Sequence, residues 1–163
     1  MKKENSNQRN KKVTPNTASN RYEALRLDNQ LCFSLYVCSK EIIKRYKPLL
    51  EPYKLTYTGY IVMMALWEKD NITVKDLGSR LYLDSGTLTP VLKKLEALDY
   101  IKRVRSNMDE RNVYIQLTDN GVDLKDKALP IPEKLICSMN LSLENGKKLL
   151  DELHQIMRLF TKP

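Results

Sequence analysis

The chain has few of the residues on which disulfide scaffolds and metal sites depend. Its 163 residues include three cysteines and a single histidine. Cys32, Cys38 and Cys137 are too few and too scattered for a disulfide scaffold, and with one histidine they provide no zinc-ligand spacing. We therefore expect no metal and no cofactor, and thiols that are either buried small side chains or redox-active groups.

A long apolar run is also absent from the sequence. No stretch of about 18 apolar residues occurs, so we expect no membrane span and no membrane partner. The first residues, MKKENSNQRNKKVTPNTASNR, are basic without an apolar segment, which is not the pattern of a secretory signal. These absences predict a cytoplasmic protein, and the length is sufficient for one domain with a hydrophobic core.

Positive charge is present in excess, but it is concentrated at one end. Residues 1–26 carry seven basic and two acidic side chains, so that five of the eight net positive charges lie there. We interpret 1–26 as a disordered, solubilising extension. The alternative is an arm that binds phosphates without sequence preference. Residues 27–163 are then the folded domain.

Hydrophobic periodicity predicts four helices before residue 100. Asp28 is placed to cap the first, whose apolar residues are spaced by threes, fours and sevens. The second, at about 58–68, is apolar on nearly every side and should be buried. Thr73 caps the third. The fourth runs from about Gly86 to Leu98, with Pro90 in its first turn.

The periodicity then changes from helical to alternating. Two strands are predicted at 100–105 and 112–117, joined by a charged loop. Thr118 begins a further helix that is interrupted near Pro130, and a last amphipathic helix covers about 142–160. This order predicts a mainly α fold with a small β-hairpin wing, which is a winged helix-turn-helix.

The terminal helices have more apolar surface than so small a module can cover. Burial against a second copy of the chain resolves this, so we expect a homodimer. The predicted DNA-binding lobe is about 58–117, and the predicted dimerisation segments are 27–50 and 119–161.

Two neighbouring segments favour duplex DNA as the partner. Small and hydroxylated residues begin the fourth helix, where free N–H groups and the helix dipole attract phosphates; they are Ser85, Gly86, Thr87, Thr89 and Pro90, with Lys93 one turn later. The wing adds Arg103, Arg105 and Arg111, and Asp109 is placed to hold the Arg111 guanidinium at the edge of a minor groove. The alternatives are an ordinary capped helix and a solvated loop of mixed charge.

Three segments of the sequence resemble a known family. DERNVYIQLTDNG, which contains Asp109, Arg111, Leu117 and Thr118, resembles the wing of the MarR family of winged-helix regulators. LYLDSGTLTPVLKKLEALDYIKR (81–103), LDNQLCFSLY (27–36) and YKPLLEPYKLTY (46–57) resemble its organic hydroperoxide resistance branch. The similarity covers about 27–160. It implies a dimeric DNA-binding repressor that responds to organic hydroperoxide.

The resemblance gives Cys32 the role of the oxidant sensor. Cys32 lies early in a predicted helix, where the dipole favours the reactive thiolate, although Asp28 opposes this effect. Tyr36 shares its helix face. In the family, tyrosines at the positions of Tyr46 and Tyr57 hydrogen-bond the sulfur across the dimer. Without the resemblance, a buried core thiol is the favoured interpretation of Cys32.

The resemblance also implies a role for Cys137, because some family members resolve the oxidised sensor with a second cysteine at this place. Packing in a helix is the alternative for Cys137, and a low-molecular-weight thiol is the alternative resolving partner. Two other regulators on the same scaffold remain possible: a repressor released by a phenolic ligand, and a global redox-responsive regulator. A thiol peroxidase is disfavoured because no peroxidase-type Thr or Arg lies near Cys32. We therefore expect no enzymatic activity.

Overall fold

The computed structural model describes residues 21–105 and 113–160. The chain divides into two compact units, residues 1–41 and residues 42–163. The first unit contains two short 3-10 turns, Glu23–Leu25 and Leu27–Asn29, and the beginning of α1 (Leu31–Leu50). Asp28 lies inside the second turn, so the prediction that it caps α1 is wrong. The turn closes when the Gln30 N–H donates to the Leu27 carbonyl, and the helix begins one residue later.

The second unit contains the end of α1 and all later elements. In chain order they are a 3-10 turn (Glu51–Tyr53), α2 (Tyr57–Glu68), β1 (Ile72–Thr73), α3 (Val74–Leu81), α4 (Ser85–Ala97), β2 (Ile101–Arg105), β3 (Val113–Leu117), α5 (Asp119–Ala128), α6 (Ile131–Ser138) and α7 (Leu143–Phe160). The mainly α fold with a small wing is thus confirmed. Where the sequence predicted one interrupted helix after Thr118, the structure has α5 and α6, because Pro130 and Pro132 start a new helix.

Five helices of this unit begin at a side-chain cap; at α7 the Asn145 N–H donates to Ser142 Oγ at 3.2 Å. Thr56, Thr73 and Thr118 each accept the N–H of the residue three positions on, at 3.1 Å between Oγ1 and N. Asp84 does the same for α4, at 2.9 Å between Oδ1 and the Thr87 nitrogen. Each cap satisfies an otherwise unpaired backbone donor. The predicted starts at Thr73 and Thr118 are confirmed.

The three strands form an antiparallel sheet in the order β1-β3-β2. Ile115 of the central strand lies opposite Ile72 on one side and Arg103 on the other. The sequence missed β1, because two residues are too short to show alternation. β1 pairs with β3 of the wing and leads directly into α3, so the sheet is anchored to the helix-turn-helix.

The turn between α3 and α4 is tight and depends on Gly78. Tyr82 has the left-handed φ of 54°, and the Leu83 N–H donates to the Gly78 carbonyl at 2.9 Å. A Cβ at position 78 would lie 2.8 Å from the Leu83 carbonyl oxygen, closer than side chains tolerate. Pro90 is the sixth residue of α4 and lies in its second turn, not its first, because the cap is Asp84.

The core of the second unit lies under α2, α3, α4 and the sheet. Its fully buried members include Leu66, Leu77, Leu88, Leu92 and Ile115. By contrast, α7 buries no residue, and Leu50 is the one buried residue of α1. Within the described residues, no helix is both long and apolar enough for a membrane span.

Candidate DNA-binding surface and redox residues

The predicted DNA-reading residues share the exposed face at the beginning of α4. All of them are exposed: Ser85, Gly86, Thr87, Thr89, Pro90 and Lys93. Two hydroxyl groups already donate within the helix, from Thr87 to Asp84 Oδ2 at 2.9 Å and from Thr89 to the Ser85 carbonyl at 2.7 Å. Their oxygens therefore face an outside partner mainly as acceptors.

Asp84 keeps the first turn of α4 rigid. The Thr87 N–H and then the Thr87 hydroxyl donate to its carboxylate and hold the pKa of Asp84 below its usual value. A Cβ at Gly86 would come within 3.0 Å of Asp84 Oδ1, so glycine leaves the cap undisturbed. The surface at the start of α4 therefore exposes backbone at Gly86, next to the negative charge of the Asp84 carboxylate.

The wing strand β2 carries the predicted cations Arg103 and Arg105, both exposed. The Arg103 guanidinium forms an ion pair with Glu96 of α4, at 2.8 Å from Nε and 2.5 Å from Nη2 to Oε2. The Arg103 side chain is the main cause of a lowered pKa at Glu96. Asp109 and Arg111 lie outside the described residues, so their predicted contacts remain predictions. A groove of about 290 Å³ is lined by the start of α3, by α4 and by the sheet, with Thr89 and Arg103 in its walls.

A cluster of aromatic rings lies in the second unit. The Tyr46 and Tyr57 ring centroids are 4.8 Å apart, and Tyr60 lies 5.8 Å from Tyr46. Burial, followed by the nearby Tyr57 and Tyr60, raises the pKa of Tyr46 to about 12. Burial also raises the pKa of Tyr57 and of Tyr60. The three phenols are therefore neutral donors at physiological pH. Among the described residues their hydroxyls have no hydrogen-bond partner.

The sequence analysis missed two members of this cluster. Tyr60 follows Tyr57 by three residues on α2, and Trp67 follows Tyr60 by seven, a spacing that places all three on one helix face. Trp67 packs edge-on to Tyr60 at 6.3 Å and donates from Nε1 to the Gly121 carbonyl at 2.8 Å. The cluster is thus linked to the first turn of α5.

All three cysteines are exposed in the chain. Cys32 is the second residue of α1, and Tyr36 follows four positions later on the same helix, also exposed. Cys137 is in the last turn of α6. The alternative interpretation of Cys32 was a thiol buried in the core. In the single chain this thiol is exposed instead. The described residues contain no group of three or more metal-ligating side chains.

The chain has a helix-turn-helix with a three-stranded wing. Hydroxylated residues are exposed on the second helix, and basic residues lie on the wing. Together these features define a winged-helix regulator. A family model of the transcriptional regulators SarA/Rot matches residues 44–128, just over half of the chain. The chain therefore belongs to this family.

Individual relatives place it among regulators with the same fold. The organic hydroperoxide resistance transcriptional regulator of Bacillus subtilis is 46% identical over 85% of this chain and 94% of its own. The HTH-type transcriptional regulator SarZ of Staphylococcus aureus is 47% identical over 80% of this chain and 88% of its own. A structure of reduced AbfR bound to DNA has 36% identity and a TM-score of 0.70, and it covers 85% of this chain and 96% of AbfR.

Proposed function

We propose that this chain is a cytoplasmic, homodimeric transcriptional repressor that binds duplex operator DNA and is released when an organic hydroperoxide oxidises Cys32. The observation that carries the DNA-binding part is the exposed start of α4 beside the cationic strand β2. The oxidant part is supported by the similarity to the Bacillus regulator of organic hydroperoxide resistance. It is also supported by the likeness to AbfR, which has been solved in reduced, overoxidised and disulfide forms.

The unburied apolar faces of α1 and α7 support the homodimer. Leu31 is 63% exposed on α1, and Leu143 and Leu159 are 79% and 80% exposed on α7. Apolar faces of this extent are unusual on a soluble monomer and mark contact surfaces. A two-fold dimer would cover the same face on both copies and set two α4 helices about 34 Å apart, the spacing of successive major grooves.

The chemistry proposed for Cys32 needs only the thiolate and the peroxide. The Cys32 sulfur attacks one peroxide oxygen, the O–O bond breaks, and the leaving alkoxide takes a proton to become an alcohol. The product is a sulfenic acid at Cys32. A second thiol, from Cys137 or from a small molecule, then attacks this sulfur to form a disulfide and release water.

The tyrosines are proposed to assist this step as neutral donors. Because the pKa of Tyr46 is raised to about 12, its phenol is still protonated at pH values at which an ordinary thiol, with a pKa of about 8.5, has ionised. The free hydroxyls of Tyr46 and Tyr57 are suited to stabilise a thiolate supplied by the partner subunit. Tyr36 is proposed to contribute from the helix that carries Cys32.

Replacement of Cys32 tests the sensor directly. Cys32→Ser should bind operator as tightly as the wild type and remain bound after organic hydroperoxide is added. Cys38→Ser is the matched control, since it removes a thiol from the same exposed part of α1. Release of Cys32→Ser from DNA by hydroperoxide would show that the sensor is elsewhere.

Replacement of Cys137 tests the resolving role separately. Cys137→Ser should still form the sulfenic acid at Cys32, detected by a sulfenic-acid-specific label. It should lose any oxidant-induced covalent dimer on a nonreducing gel. A covalent dimer that persists in Cys137→Ser but disappears in Cys38→Ser would assign the resolving thiol to Cys38.

One observation favours a second candidate, a repressor released by a phenolic ligand. An open groove of about 720 Å³ in the second unit lies between α2, α3 and α7, and its lining includes Tyr57, Tyr82 and His154. This volume suits a small aromatic molecule. A protein whose thiols are blocked should still be released by such a ligand, whereas it should no longer respond to hydroperoxide.

A further inference from the structure

The wing strand follows the DNA-reading helix after only three residues. Asp99 takes the left-handed φ of 57°, and the Tyr100 N–H donates to the Leu95 carbonyl at 3.0 Å, which ends α4. β2 begins at Ile101. The direction in which β2 leaves α4 therefore depends on this turn and on whatever side chains bridge it.

Glu96 and Arg103 form that bridge through three hydrogen bonds. The Arg103 side chain donates twice to Glu96 Oε2, and the Arg103 backbone N–H donates to Oε1 at 3.3 Å. β2 is an outer strand, since the sheet order is β1-β3-β2. The Thr118 N–H donates to the Tyr100 carbonyl, so the alternation of the antiparallel ladder turns the Arg103 N–H away from β3. One carboxylate on α4 thus holds both the backbone and the side chain of the wing strand.

We propose that Glu96 and Arg103 are positioning residues that fix the wing relative to α4, and that Arg103 does not contact DNA. This inference rests on the proposed DNA-binding function and refines it. An arginine whose Nε and Nη2 both donate to a carboxylate is a weaker phosphate ligand, because the carboxylate offsets its charge and leaves it fewer free N–H donors. A wing held in advance loses less conformational freedom when it docks, which favours binding.

The expected size of the effect is small. The two side chains are 34% and 36% exposed, so water and salt screen the pair. Exposed ion pairs change an equilibrium constant roughly two- to fivefold. The Glu96–Arg103 pair cannot increase DNA affinity by more than the free energy of the pair itself.

Glu96→Gln gives a test in which the electrostatic effect and the positioning effect change the DNA affinity in opposite directions. Removal of a negative charge close to DNA should tighten binding, whereas loss of a positioning contact should weaken it roughly two- to fivefold. The probe is a duplex of about 30 base pairs, long enough for two half-sites and selected from a random pool by the wild-type protein. Glu68→Gln is the matched control, because it breaks a second Arg–Glu pair of the described part of this lobe, with Arg80, away from the wing.

Arg103 is tested by salt dependence and by a change that keeps its charge. Arg103→Gln should weaken binding without changing the slope of log K against log salt, whereas a lost phosphate contact would lower that slope by about 0.9. Arg103→Lys should weaken binding as much as Arg103→Gln does, because lysine lacks the planar fork. A phosphate-binding role would instead let Arg103→Lys retain wild-type affinity.

Amide exchange of the free protein provides an arm that does not require DNA. Glu96→Ala should speed exchange at the Arg103 N–H, while Glu68→Ala should leave it unchanged. Equal weakening by Glu96→Gln and Glu68→Gln, or unchanged exchange at Arg103, would overturn the proposal. If the wild type selects no duplex, the proposed function fails instead, and the exchange arm alone decides whether Glu96 holds the wing.

Discussion

Residues 56–117 and the helix α7 bury apolar side chains in opposite ways. In the first region Met63, Leu66 and Leu92 are almost fully buried, in a core that α1, α5 and α6 of the same chain complete. α7 has an apolar stripe but no buried residue. The proposed DNA-binding lobe thus buries its apolar side chains within one chain, whereas the apolar stripe of α7 stays exposed within one chain.

A charge placed on the apolar stripe of α7 should give the largest effect. Leu149→Glu would put two glutamates into a two-fold interface, and burying each unpaired charge costs several kcal/mol. We expect the dimer dissociation constant to rise at least about 1,000-fold, with DNA binding weakened accordingly. Sedimentation and operator titration on the same samples measure both quantities.

Lys148→Glu is the control for that change, since it alters charge at the neighbouring exposed position of α7. It should leave the dimer intact. If Leu149→Glu remained a dimer at wild-type concentrations, α7 would not be the dimer contact, and the comparison between the two regions would fail.

The same leucine-to-alanine change should have different costs in the two regions. Leu66→Ala leaves a cavity in the lobe and should lower the free energy of unfolding by about 2–5 kcal/mol at every protein concentration. Leu150→Ala, on exposed α7, should cost less than about 0.5 kcal/mol when the protein is dilute enough to be monomeric. Urea unfolding over a range of protein concentrations separates the two cases. A concentration-independent loss at Leu150 would mean that α7 is stabilised within its own chain.

Much of the fold could be predicted because the signals are local. Thr73 and Thr118 were placed as caps from residue type and from the apolar pattern that follows them, and the alternation of β3 identified the wing. The failures are also informative. At Asp28, residue type alone could not reveal that the preceding turn continues to Asn29. β1 is defined only by its pairing with β3 across the chain, which no local pattern contains.

The candidate site was less predictable, because its key contacts join different elements. Exposure of the α4 residues followed from periodicity. The pairing of Arg103 with Glu96 did not, since it depends on the left-handed turn at Asp99 between them. Similarly, Tyr46 and Tyr57 were chosen by resemblance. Their contact with each other and with Tyr60 follows from how the end of α1 packs on α2.

The smallest predicted effect concerns the phenols where the lobe meets the end of α1. The folded protein raises the pKa of Tyr46 from its ordinary 10.0 to about 12. Above pH 10 the unfolded chain therefore loses this proton first, which stabilises the unfolded state. The contribution of Tyr46 is fully present below pH 10 and is lost as the pH rises towards 12.

Tyr46→Phe has no proton to lose, so between pH 10 and 12 its free energy of unfolding should fall less steeply than that of the wild type. Tyr57 and Tyr60, whose pKa values are also raised, should leave some slope in the variant. Urea titrations at pH 8, 10 and 11 measure the difference, in which the titrating groups that do not interact with Tyr46 cancel. Parallel curves for the two proteins would show that Tyr46 is as hydrated in the folded chain as in the unfolded one, and that its ring does not belong to the enclosed core of the lobe.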